Sequence, residues 1–144
     1  MIEGVVLTPL KILPGELGDV MHAFKKSDST FTKFGEAYFS IVKKDCVKAW
    51  KMHKKMTLNL IVPCGEVKFV LYDDRKGSKT YKETNEIILS IENYQRLTIP
   101  PMIWVGFTGL SKSTNMLLNI ADIEHDPSES VKQDPYKNNI PYKW

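Results

Sequence analysis

The sequence predicts an all-β sandwich or barrel, on three observations. Turn-forming residues recur about every ten positions. The stretches between them are short and rich in β-branched and aliphatic residues. No segment keeps an i, i+3, i+4 apolar spacing over three helical turns.

Taken in order, residues 2–13 read as an opening strand or a pair of short strands, stopped by Pro14-Gly15. Residues 19–25 form a second short segment before a polar loop at 26–30. Residues 35–42 alternate as a strand and end at Lys43-Lys44-Asp45. Residues 47–53 form the next strand, and a further run closes at Pro63-Cys64-Gly65, where glycine supplies a backbone angle that other residues resist. A strand over 66–72 is ended by the polar stretch 73–78. Strands are then expected at 80–90, 96–99, 104–110 and 116–123, with Glu92-Asn93 and Pro100-Pro101 as breaks. The proline-punctuated tail after Asp126-Pro127 reads as an extended segment lying on the barrel.

A chain of 144 residues is expected to fold as one domain spanning 1–144, large enough for a real core. A net charge of +3, with basic residues scattered among acidic ones, argues against a nucleic-acid partner. No apolar run approaches the ~18 residues of a membrane span, and the N-terminus lacks a signal-peptide pattern. A cytoplasmic protein with no membrane partner is expected. Cys46 and Cys64 are too few and too far apart for a disulfide framework or a zinc motif, so both are expected reduced.

The chemical cluster lies in the strand at 47–53, where Lys48, Lys51 and His53 stand beside Trp50. Strand parity places Lys51 and His53 on one face, and Lys48, Trp50 and Met52 on the other. Apolarity alone leaves open which face is the core. The Trp50/Met52 face is the more apolar, which would leave Lys51 and His53 in water.

Residues 46–75 resemble the central segment of the dTDP-4-dehydrorhamnose 3,5-epimerase family. That family's run is V-L-R-G-L-H-x-Q, a strand, then R-G-E-V-x-x-V-x-x-D-x-R. The matching residues are Val47-Lys48-Ala49-Trp50-Lys51-Met52-His53, Cys64-Gly65-Glu66-Val67 and Asp73-Asp74-Arg75. The resemblance continues through Asp19 and Phe24, Ser40, Leu97-Thr98-Ile99-Pro100-Pro101, Gly106-Phe107, Asp126-Pro127, Asp134-Pro135, Ile140 and Trp144. It implies a cupin-type double-stranded β-helix (jelly roll), a homodimer, and epimerisation or isomerisation of a nucleotide-linked 4-keto-6-deoxy sugar for surface polysaccharide synthesis.

Two departures bear on mechanism. The family's catalytic histidine falls on Lys51, and no tyrosine lies between Tyr94 and Tyr136 to supply the family's acid. Lys51 and His53 are the expected catalytic residues, with Lys51 as base, as hydrogen-bond donor to the sugar ketone, or as imine former. Lys48, aligned with a diphosphate-binding arginine, is an expected substrate contact, provided a bulge brings it to the Lys51 face. Arg96 is a candidate for phosphate, and Tyr38 and Trp104 for stacking on base or sugar. His53 alone does not make a metal site, since Lys51 and Val105 replace two cupin ligands, so no metal or other cofactor is expected. The alternative reading is a non-catalytic cupin that binds a nucleotide sugar or a partner enzyme.

Overall fold

The structure, a computed structural model, describes residues 1–144. Its strands are β1 (Val6–Pro9), β2 (Ile12–Leu13), β3 (Val20–Met21), β4 (Glu36–Val42), β5 (Val47–His53), β6 (Leu58–Cys64), β7 (Glu66–Asp73), β8 (Thr84–Ser90), β9 (Gln95–Ile99), β10 (Ile103–Gly109), β11 (Asn115–Ala121) and β12 (Ser130–Lys132). A single 3-10 turn, Pro127–Glu129, precedes β12. No helix is long and apolar enough to cross a membrane.

Two five-stranded sheets are formed, in the orders β1-β9-β6-β11-β4 and β12-β5-β10-β7-β8, with β2 and β3 as a separate ribbon. All strand pairings are antiparallel, the jelly-roll arrangement that the family resemblance implies. The 80–90 strand begins later than expected, at Thr84, because Asp73 holds the chain before it. Its carboxylate accepts from Arg75 Nε at 2.8 Å and from the Thr80 hydroxyl at 2.7 Å, which makes 74–83 a loop. Gly65 has φ +75°, and a side chain there would also strike the backbone of Thr114 and Asn115, so the β6–β7 turn requires glycine.

The inner faces of the sheets pack a core that includes Leu60, Val67, Phe69, Leu71, Leu89 and Leu97, all below 5% exposed. This apolar filling is concentrated toward β7, β8 and β9. Toward β4, β5 and β12 the inward side chains turn polar, and the space between the sheets is left open.

The outer face of β5 is buried as well. Trp50 packs with Val70, Tyr72, Trp104 and Ile140 in a second cluster, roofed by Tyr142 and Trp144 from the tail. The Trp50 and Trp144 rings lie 5.2 Å apart. Gly106 is needed beneath this roof, since a Cβ there would collide with Trp144 and Ala49. Both faces of β5 are therefore covered, and the more apolar one faces the tail rather than the barrel interior.

Candidate active site

A cavity of about 410 Å³ opens between the sheets and is lined by Tyr38, Ser40, Lys48, Lys51, His53, Asn119 and Lys132, over an apolar floor that includes Leu58, Leu60, Val105 and Leu117. Its position follows from strand register. Val105 pairs with Lys51 and Trp104 with Met52, so Lys51 shares the inward face of Val105. The pairing then shifts: Phe107 opposes Lys48, leaving Ala49 and Trp50 of β5 against Gly106 of β10. That extra residue is a bulge, and it returns Lys48 to the cavity face that strict alternation would deny it. Lys48 Nζ donates to Ser40 Oγ at 3.1 Å and to the Ile41 carbonyl at 2.8 Å, tying the two sheets together at the cavity rim.

His53 is 6% exposed, and its Nδ1 lies 2.6 Å from Oε2 of Glu129, which is equally buried. Glu129 sits at the end of the 3-10 turn capped by Asp126, and its Oε1 accepts from the backbone N–H of Lys55 at 2.7 Å and of Met56 at 2.8 Å. Burial works against ionisation of Glu129, but these N–H groups and His53 outweigh it and lower its pKa to about 2. An ionised carboxylate only accepts, so His53 Nδ1 carries the proton and Nε2 keeps a free lone pair. The pKa of His53 is itself lowered, first by burial, against the raising effect of Glu129 and with the help of Lys51. The imidazole is thus held neutral, in one tautomer, in the cavity.

Lys51 is half-buried, and β12 pairs with β5 so that Lys132 stands directly opposite it. Burial first, then the Lys132 ammonium, lower the pKa of Lys51. Neither lysine, nor Lys48, has a carboxylate at salt-bridge distance. Directly opposed like charges are unfavourable across a ladder, so this wall is ready to receive an anion. On the opposite wall, Tyr38 of β4 pairs with Asn119 of β11, and Asn119 Nδ2 donates to the Tyr38 hydroxyl at 3.0 Å.

Four expected site residues (Lys51, His53, Lys48 and Tyr38) are brought together here, and two are not. Arg96 is fully buried on the outer face of β9, where its guanidinium donates to the Ala23 carbonyl, Asp28 and Thr30 and lies 4.0 Å from the centre of the Phe24 ring. It pins the 23–30 loop and has no access to the cavity. Trp104 belongs to the outer cluster with Trp50, because its register partners Met52 and Tyr72 share that face. Both residues were selected by type, and register turns both away. Glu129, Lys132 and Asn119 were missed. The tail after Asp126-Pro127 reads as extended in the sequence, whereas Pro127–Glu129 form a 3-10 turn, and nothing local ties Glu129 to a histidine 76 positions earlier. No group of three or more His, Cys, Asp or Glu side chains gathers as a metal site would require.

The family model described as dTDP-4-dehydrorhamnose 3,5-epimerase matches residues 1–144. A crystal structure of a dTDP sugar isomerase from Desulfovibrio desulfuricans G20 superposes with a TM-score of 0.96 at 38% identity, covering 99% of this chain and 92% of that one. The probable low-salt glycan biosynthesis epimerase Agl13 of Haloferax volcanii is 27% identical over 98% of this chain and 88% of its own length. The spore coat polysaccharide biosynthesis protein SpsL of Bacillus subtilis is 25% identical over 100% of this chain and 97% of its own.

Proposed function

The chain belongs to the dTDP-4-dehydrorhamnose 3,5-epimerase family, and from that premise we propose that its cavity epimerises a nucleotide-linked 4-keto-6-deoxyhexose at C3, C5 or both. The observation that carries this reading is the buried His53–Glu129 pair, 2.6 Å long, set in a cavity of sugar size beside Lys51. Removing a proton next to a ketone needs a base that is unprotonated at working pH, and His53 Nε2 meets that need. The base role moves from Lys51 to His53 because the lysine starts from an ordinary value of 10.5 and lacks an orienting carboxylate.

Lys51 is assigned to the C4 oxygen, where enolate charge develops and a preorganised donor lowers the barrier. Lys48 and Lys132, which line the same cavity, are assigned to the diphosphate. Surface polysaccharide synthesis, akin to the spore coat polysaccharide synthesis of the Bacillus relative and the glycan synthesis of the Haloferax one, is the pathway class assigned to this chain. The outward apolar residues Phe39 and Ile41 of β4, 63% and 57% exposed, support a homodimer, which sedimentation would measure.

The test is incubation with dTDP-4-keto-6-deoxyglucose in heavy water. The wild-type protein is expected to place deuterium at C3 or C5 above the buffer rate. His53→Asn is expected to abolish this while dTDP affinity stays within about tenfold, ~1.4 kcal/mol. A wild-type protein that binds the keto sugar but exchanges no hydrogen would instead establish the non-catalytic cupin.

A further inference from the structure

Inversion needs a second group. A base that removes a proton from one face of the ring and returns it to the same face leaves the configuration unchanged. The proton that completes inversion must come from across the cavity, and the tyrosine that supplies it in the resembled family has no counterpart in β9, β10 or β11.

We propose that Tyr38 of β4 is the catalytic proton donor on the face opposite His53, and that Asn119 is its positioning residue; this inference rests on the epimerase reading above. His53 belongs to one sheet and Tyr38 to the other, and both line the same cavity. The cavity that separates them holds about 410 Å³, room for one sugar ring between the two walls. Asn119 Nδ2 donates to the Tyr38 oxygen at 3.0 Å, so the phenol accepts there and its own proton remains unspent. Asn119 is 1% exposed and directly opposes Tyr38 in the ladder, which makes it a rigid anchor. Tyr38 itself is 43% exposed, so water reaches it.

The step balances without a co-reactant. His53 Nε2 takes the proton from C3 or C5, and the electron pair of that C–H bond moves into the enolate ending at O4. The enolate carbon then takes the Tyr38 proton on its other face, forming the new C–H bond and leaving a phenolate. The phenolate regains a proton from water, and the imidazolium releases one.

Deuterium exchange and net inversion separate the two halves of this cycle. With dTDP-4-keto-6-deoxyglucose in heavy water, Tyr38→Phe is expected to keep hydrogen exchange within about tenfold of wild type. Its inverted product is expected to fall by about 10²-fold or more, the scale of one lost general acid. Asn119→Leu is expected to lose inversion in the same direction but less completely, again with exchange retained, which a merely structural role would not produce. Thermal melting and dTDP binding of both variants check that the fold and site persist. Inversion by Tyr38→Phe at the wild-type rate overturns the assignment. So does equal loss of exchange and inversion, since Tyr38 would then serve binding or deprotonation. Absence of exchange in the wild type removes the epimerase reading itself, a different result from either.

Discussion

Replacing Glu129 with glutamine changes one atom and reverses the logic of the site. The carboxylate accepts three hydrogen bonds, one from His53 and two from the backbone at Lys55 and Met56. An amide that keeps its oxygen on the two backbone N–H groups must present its NH₂ to His53 Nδ1. The imidazole then accepts at Nδ1 and carries its proton on Nε2, the wrong tautomer for a base. Turnover should fall by about 10²–10⁴-fold, the usual worth of a general base, with nucleotide affinity little changed. Losing a charged acceptor should cost about 1.5–3 kcal/mol of stability. At roughly 2–4 °C per kcal/mol for a chain of this size, the melting temperature should drop by about 3–12 °C.

The pH dependence supplies a second readout. Because the folded-state pKa of Glu129 lies near 2, below its ordinary 4.5, its stabilisation is fully present above about 4.5 and is lost as pH falls toward 2. The glutamine variant should lack that part of the acid-unfolding slope. Nitrogen chemical shifts of the His53 ring report the tautomer directly. A Glu129→Gln protein with wild-type turnover and an unchanged tautomer would refute the reasoning.

Three further outcomes follow from named contacts. His53 should titrate below 6.5 by NMR, and its contribution to stability should be complete above that pH and diminish as pH falls below it. Since the Lys51 charge helps to hold that value down, Lys51→Met should move the titration upward, but only in part, because burial is the larger cause. Arg96→Ala should destabilise the fold by about 1.5–3 kcal/mol in chemical denaturation, the scale of lost hydrogen bonds to a charged group, since the Asp28 carboxylate left behind is partly exposed to water. Ligand affinity of the folded protein should be unchanged, because Arg96 anchors the 23–30 loop and not a phosphate. Lys48→Ala should weaken dTDP binding by several-fold in calorimetry, about 1 kcal/mol, and should flatten its salt dependence.

The sequence by itself determined the all-β class, most strand positions and the strand that carries the chemistry. Those signals are local: alternation has a period of two, and glycine or proline ends each run. Family resemblance added the jelly roll and the reaction class. Which face of β5 is the interior was not legible, because both faces are buried and the tail residues that cover Trp50 lie about 90 positions away. Lys48 reaches the cavity only through a bulge against β10, which is a property of the pairing and not of β5 alone. Arg96 and Trp104 have suitable chemistry, but registers set by other strands turn both outward. Glu129 entered the site only when β12 paired with the edge of β5, placing Ser130 opposite His53. Composition and periodicity specify which residues want burial or a strand. Long-range register decides which of them meet, and in this protein it set a carboxylate against a histidine and a tyrosine on the facing wall.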